Sequence, residues 1–323
     1  MKGILVCVFL VSVVYGAGWT VLGRLSDSFQ LSESGKYENG NCYFKFIEKV
    51  AEGSFLRVVD AEGNYTPADR EQYTFPVPAG TDSYTAVPFP VDIENPCTFA
   101  GVTKISASGD TLWTVMLDSL EEREDIPVSI IPCTQGGCFA VFPPDCDFLW
   151  EVYRLSDSGD VLMQGEFRLQ GGPVIGVSDV VETADSSFLI SGTTDDLGMN
   201  IFAFLVGIDS SGRQFIELKE DLRFHAGARS IELDRDGNIY LAGYTGYERD
   251  DGFFMPPWDS DVFLMKLDPA GNELRCTVFS FPRENRPLAM EVAENGDVLV
   301  LIRSFDYQFN GTEDSLTLLR YGE

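Results

Sequence analysis

The sequence of 323 residues predicts an all-β chain of six repeated units, each a four-stranded antiparallel sheet, with the first strand completing the last unit. Three observations predict it. Two kinds of hairpin alternate along the chain, their turn glycines recur at about 50-residue intervals, and the N-terminal text resembles the strand that the C-terminus lacks. The length fits one large domain or two ordinary ones, and 44% apolar with 12% aromatic residues is enough to build a core.

The first hairpin is clearest at Ser230 to Gly243, SIELDRDGNIYLAG, where apolar residues alternate, a Gly-Asn turn interrupts and alternation resumes. A copy from Ser28 to Gly40, SFQLSESGKYENG, sets Gly35 against Gly237 and Gly40 against Gly243. Further copies begin at Phe75, Ser129, Ser178 and Ala289, which makes six. Ile231, Leu233, Ile239 and Leu241 are expected to pack between neighbouring units, with Glu232 and Tyr240 pointing the other way.

The second hairpin is clearest at Asp261 to Leu274, DVFLMKLDPAGNEL, where Pro presets a turn dihedral and Gly or Asn accepts positive φ. Copies start at Ser54, Thr98, Asp147 and Ile201, and the turn glycines Gly63, Gly109, Gly159, Gly212 and Gly271 lie 46, 50, 53 and 59 residues apart. A sixth copy at Ser315 stops after one strand. Its partner is predicted at the other end, because AGWTVLG from Ala17 resembles the TLWTVML that follows the turn of the Thr98 copy. The architecture predicted is therefore a six-bladed β-propeller of four-stranded antiparallel blades over residues 18–323, closed by strand 19–25 pairing with strand 315–321. Circular closure removes the open ends that an extended sheet would expose.

The text ARSIELDRDGNIYLAGYT followed by DVFLMKLDPAGNEL resembles the bacterial exported β-propeller repeat of the SBBP type. The likeness is close over 228–274, fair over 188–215, and carried by spacing and turn residues alone over 19–145. It implies an exported propeller and brings no catalytic residues, since its positions are turns and core.

Residues 1–17 read as a signal peptide: Lys2 precedes a mostly apolar run from Ile4 to Tyr15, and Gly16, Ala17 and Gly18 suit a signal peptidase. The run is shorter than the ~20 residues of a spanning helix, so no stable membrane insertion is expected after cleavage. The expected location is secreted, periplasmic or at the cell surface. Cys42, Cys97, Cys133, Cys138, Cys146 and Cys276 then remain, an even number in an oxidising compartment, and three disulfides are expected. Cys133 and Cys138 flank the turn from Thr134 to Gly137 and are the pair expected to bridge.

With 23 Lys+Arg against 51 Asp+Glu and a net charge of −28, the chain lacks the basic face that nucleic acid requires. Asp234, Asp236 and Asn238 have calcium-loop spacing, but Thr245 stands where such a loop ends in Glu, and the same residues suit a hairpin turn. No cofactor is expected, and the acidic balance leaves calcium open at scattered sites. The one histidine, His225, has no Ser or Cys motif near it, and a structural role is expected of it. The turn glycines are read as positive-φ residues rather than phosphate cradles.

Connections from the second to the third strand and from the fourth to the next unit emerge on one face, where insertions would build a shared surface. One insertion, Gly246 to Ser260, carries Tyr247, Glu248, Asp250, Asp251, Phe254 and Trp258; another, Ser304 to Asp314, carries Phe305 and Tyr307. Aromatics mixed with carboxylates suit sugar rings or cationic peptide groups, and those eight residues form the candidate binding site, against the reading that the aromatics plug the ring as a small core. The expectation is a monomeric, non-enzymatic propeller that binds a protein or glycan. The alternatives are a carboxylate-based hydrolase or lyase of polysaccharide, calcium-assisted or not, and a structural module of a cell-surface assembly.

Overall fold

The computed structural model describes residues 13–15, 19–26, 29–36, 42–50, 53–60, 65–67, 82–90, 98–106, 108–117, 129–142, 149–169, 174–195, 200–220, 222, 225–246, 260–280, 284–305 and 315–322. Every regular element among them is a β-strand. The chain divides into two compact units, Met1–Tyr73 with Asp221–Glu323, and Thr74–Glu220.

The first unit opens with β1 (Val13–Tyr15) paired to β2 (Trp19–Ser26); β1 falls within the segment read as a signal peptide. A sheet of β3 (Phe29–Lys36), β4 (Cys42–Val50), β5 (Gly53–Asp60) and β6 (Tyr65–Pro67) follows in that order. Here one expectation is corrected. Gly35 is not a turn residue: it lies inside β3, opposite Tyr43, and the chain reverses between Lys36 and Cys42. The sequence Tyr-Glu-Asn-Gly-Asn at 37–41 has the turn chemistry, so Gly40 rather than Gly35 is the counterpart of Gly237.

The second unit holds three sheets. They are β7 (Ser83–Pro90), β8 (Thr98–Ile105) and β9 (Thr111–Met116); then β10 (Ser129–Pro132), β11 (Cys138–Phe142), β12 (Trp150–Leu155) and β13 (Val161–Phe167); then β14 (Val174–Glu182), β15 (Phe188–Asp195), β16 (Ile201–Ile208) and β17 (Gln214–Glu220). The part of the Phe75 hairpin before Asp82 lies outside the described residues.

The chain then returns to the first unit with β18 (Ala226–Leu233), β19 (Ile239–Gly246), β20 (Ser260–Leu267) and β21 (Glu273–Phe279), followed by β22 (Glu284–Val292), β23 (Val298–Phe305) and β24 (Ser315–Tyr321). The last sheet has the order β1-β2-β24-β23-β22. The N-terminal strand thus lies beside the C-terminal one, with Trp19 opposite Tyr321 and Leu25 opposite Leu316.

Packing decides which strands are apolar on both faces. Along β19 both Ile239 and Leu241 on one face and Tyr240 and Ala242 on the other are at most 1% exposed. Tyr240 lies on the face opposite Ile239 and Leu241, as the alternation implied, and that face is buried too. It joins Val262, Leu264, Met290, Val300 and Leu319 in a core between the β18–β21 and β22–β24 sheets. Each such side chain contributes roughly 1.5–3 kcal/mol by burial. In the second unit the β10–β13 sheet is likewise covered on both faces. Phe139, Val141, Trp150 and Val152 meet Phe188, Ile190 and Phe204, while Cys138, Ala140 and Tyr153 meet Val102 and Leu117. Phe139 stacks on Phe188 with ring centres 3.8 Å apart.

That two-sided burial overturns the expected disulfide. Pro132 pairs with Cys138, and Cys133 donates its N–H to the Gly137 carbonyl at 3.0 Å, so Cys133 is one step out of register with Cys138. Successive residues of a strand face opposite ways, and the thiols accordingly enter different cores. Both are free and buried. Burial pushes Cys133 up to about 11, with the Glu182 carboxylate adding to the rise, and pushes Cys138 up to about 12.

Eight described hairpin turns share one geometry: the first residue's N–H bonds the carbonyl four residues on, and the fourth residue's N–H bonds back to the first. The fourth residue needs positive φ, which Gly109, Gly136, Gly159, Gly212, Gly237, Gly271 and Gly296 supply at 81–91°. The eighth turn has Ser186 there, at φ 62°. Replacing Ser186 with glycine is expected to stabilise the protein by about 0.5–1 kcal/mol, because a left-handed non-glycine residue costs about 1–2 kcal/mol and the glycine's extra unfolded-state freedom offsets part of the gain. Urea unfolding midpoints check this. A lowered midpoint would show that the Gln135 Nε2 to Ser186 Oγ bond, 3.2 Å long, outweighs the strain.

Candidate functional site

Of the eight candidate binding residues, Tyr247, Glu248, Asp250, Asp251, Phe254, Trp258 and Tyr307 lie outside the described residues. Phe305 closes β23 opposite Glu284. The structure does describe the strand ends from which both insertions leave. β19 ends at Gly246, opposite Ser260 at the start of β20, and β23 ends one residue after Ser304.

These ends are tied together by buried hydrogen bonds. Ser260 Oγ donates to the Asn285 carbonyl at 2.9 Å and accepts the Asn285 N–H at 3.0 Å. The Asn285 amide donates to the Ser260 carbonyl at 3.0 Å, and its oxygen accepts Ser304 Oγ at 2.7 Å. Asn285 is fully buried, and Ser260 and Ser304 nearly so. One asparagine on β22 thus grips Ser260, the first residue of β20, and Ser304, the penultimate residue of β23. Sequence reasoning missed all three; the signal available was that Ser260 and Ser304 bound the two longest insertions.

Just below lies a second group. Tyr244 of β19 carries the Arg229 guanidinium 5.5 Å from its ring centre and the Arg286 guanidinium 5.3 Å from it. Arg286 donates from Nη2 to the buried Glu284 carboxylate at 2.7 Å. Arg229 is the extra residue of a bulge between Ala228 and Ser230, which gives it no partner in the ladder. The glycine at 227 makes room for the tyrosine: a Cβ there would sit 2.6 Å from the ring. On the same sheet Asp261, 6% exposed, accepts Ser280 Oγ at 2.7 Å.

Other sequence candidates resolve into structural parts. Asp234 Oδ1 accepts the N–H groups of Asp236 and Asn238, each at 2.9 Å, and its Oδ2 accepts the Asn238 amide at 2.8 Å, so the carboxylate is engaged in its own turn. Asp268 does the same with Ala270 and Asn272, and these bonds to Asn272 hold its carboxyl below the usual range. His225 sits at the β18 entrance with φ 58°, and its carbonyl accepts the Gly246 N–H at 3.1 Å. In the second unit Lys104, 4% exposed, pairs with Asp157 at 2.6 Å and Asp82 at 2.8 Å. Burial opposes its charge, yet those two carboxylates raise its pKa overall, and the bond from Lys104 lowers that of Asp157.

Taken together, these observations define an all-β repeat protein of separate antiparallel sheets, with a hydrogen-bonded polar set joining the strand ends at Ser260 and Ser304. No protein-family model and no curated protein matches the chain. Among solved structures, a protein of unknown function from Dyadobacter fermentans is similar at 11% identity, covering 94% of this chain and 100% of its own, with a TM-score of 0.52. A DUF4221 family member from Bacteroides vulgatus is 13% identical over 95% of this chain and 100% of its own, with a TM-score of 0.42. A polysaccharide lyase described as an ulvan lyase is 12% identical over 96% of this chain and 84% of its own, with a TM-score of 0.44. At such identities the likeness to the first is one of fold alone.

Proposed function

We propose that the chain is an exported six-bladed β-propeller that binds a protein or glycan partner through the loops of one face, without catalysing a reaction. The observation that supports this reading is the Ser260–Asn285–Ser304 hydrogen-bond set, which ties together the strand ends from which the aromatic- and carboxylate-bearing insertions leave. Loops that leave from strand ends tied in this way can present Tyr247, Asp250, Trp258 and Tyr307 to one ligand, because fixing the stems removes part of the ordering cost of binding.

The test is a panel of glycans and surface proteins presented to the mature chain with and without calcium. Alanine at Trp258 and Tyr307 is expected to abolish binding while changing the melting temperature by no more than about 2 °C. Unchanged binding with a large loss of stability would assign the aromatics to a core plug instead.

A further inference from the structure

The large apolar side chains that this protein leaves exposed gather on its sheet edges. Six of the seven found among the described residues are Leu112, Met116, Val161, Leu162, Phe215 and Leu274, and they lie on β9, β13, β17 and β21, each the last strand of its sheet. A last strand has no ladder partner for its outward N–H and C=O groups, and proteins block such an edge with charge, proline or shortness. Of the five sheets that end in this way among the described residues, four are blocked. β13 carries Glu166, β17 carries Glu217, Lys219 and Glu220, β21 carries Glu273 and Arg275, and β6 is three residues long and ends in Pro67. β9 has no such block: its six residues, Thr-Leu-Trp-Thr-Val-Met, include no charge, proline or glycine.

That strand is also held in place by its other face. Trp113 and Val115 pack at the turn of Gly159, where a Cβ would sit 3.0 and 3.1 Å from them, and the Trp113 indole donates to the Asp157 carbonyl at 2.8 Å. Thr114 shares a hydroxyl bond of 2.9 Å with Thr103 of β8, and Leu117, just past the strand, is buried. The alternate residues Leu112, Thr114 and Met116 face solvent, with Leu112 51% and Met116 60% exposed. A strand added to this edge would set its own side chains beside those two, on a template that is already ordered.

What an edge of this kind accepts is visible at β2. Its Trp19, Thr20 and Val21 repeat the Trp113, Thr114 and Val115 of β9, and it pairs with β24 on one side as β9 pairs with β8. On the side that is open in β9, β2 holds β1, antiparallel, with Tyr15 opposite Trp19, Val14 opposite Thr20 and Val13 opposite Val21. We infer that β9 is a docking edge for a partner protein, which adds to it, antiparallel, an extended uncharged run of β-branched and aromatic residues followed by a basic one. The basic residue answers to charge. The chain carries −28 overall, and the exposed Asp110 stands just before Thr111, where the C-terminal end of an antiparallel guest arrives. The same −28 sets two copies of this chain against each other, so the occupant is a different protein. This edge belongs to the second unit and uses neither of the insertions that leave β19 and β23.

The experiment uses the full chain, in which β1 covers β2, and a fluorescent synthetic peptide made of residues 11–16, Val-Ser-Val-Val-Tyr-Gly, followed by lysine. Anisotropy is expected to show binding. Hydrogen–deuterium exchange read by mass spectrometry is expected to show the amides of 111–116 slowed roughly tenfold or more by the peptide, with those of 161–167, 214–220 and 273–279 unchanged. L112K/M116K alters two exposed side chains and should keep the melting temperature while weakening binding roughly tenfold or more, by like charge against the peptide's lysine and by lost apolar contact. Two further peptides, N-methylated on one or the other alternate set of residues, should differ, only one of them binding, because the N–H groups of a strand alternate between its two sides. Equal affinity of those two peptides, equal affinity of the double variant, protection elsewhere than 111–116 or no binding at all would each overturn the inference. Protection of 111–116 that rises with protein concentration and needs no peptide would overturn the choice of partner in favour of a second copy.

Discussion

Gly243→Ala is expected to cost about 3 kcal/mol or more, the largest effect of a methyl added at any of the first unit's glycines whose surroundings are described. A Cβ at this position would lie 2.2 Å from the Gly227 carbonyl oxygen and 2.4 and 2.5 Å from two carbons of the Phe263 ring. Neither neighbour can yield: one is backbone next to the β18 bulge, and the other is a fully buried ring in the cross-strand position. The same pairing recurs as Gly192 with Phe204, where a Cβ would approach the Gly176 carbonyl to 2.1 Å. In the β22–β24 sheet the corresponding pair is Ile302 opposite Thr317, with a side chain on both strands. Gly176→Ala is the control, because nothing lies within 4 Å of its Cβ and it should be neutral to within about 0.5 kcal/mol. Urea unfolding of the two variants side by side decides it. Matching midpoints would mean that the close approach at Gly243 is not a constraint.

Asn285→Ala is expected to cost about 2–4 kcal/mol. It removes the bond to the Ser260 carbonyl and leaves the buried Ser304 hydroxyl without its acceptor, and each buried group so stranded costs about 1–3 kcal/mol. The backbone bonds between Asn285 and Ser260 Oγ survive that change, so Ser260→Ala should add a further loss. Ser304→Ala in the Asn285→Ala background should cost less than it does alone, since the stranded hydroxyl is then gone. Thermal unfolding of the three single variants and the Asn285/Ser304 double variant measures these terms. Strict additivity would show that the bond between the two contributes nothing.

Much of the fold was legible because hairpins are local. The turn at 268–272 announces itself through Asp-Pro-Ala-Gly-Asn, and its geometry recurs at Gly109, Gly159 and Gly212, where the same spacing had placed it. The pairing of Trp19 with Tyr321 was legible for another reason, since a missing strand leaves a recognisable text elsewhere in the chain. The Ser28 copy was misaligned because Gly35 and Gly40 both punctuate the text, and only the ladder of β3 on β4 tells which one turns. The hydrogen-bonded set between the strand ends at Ser260 and Ser304 was not legible. Ser260, Asn285 and Ser304 are ordinary polar residues, separated by 25 and 19 positions, with nothing in their neighbours to join them.

By itself the amino-acid sequence determined the strands, their order within each hairpin and the residues that turn them, since period-two patterning and turn dihedrals are properties of a few consecutive residues. What faces what was decided only by the tertiary structure. Tyr240 is buried, and the thiols of Cys133 and Cys138 are parted, because inner strands are covered on both sides and burial depends on the neighbouring sheet. The polar set around Asn285 and the two arginines on Tyr244 arise in the same way, from strands brought side by side whose residues lie far apart along the chain.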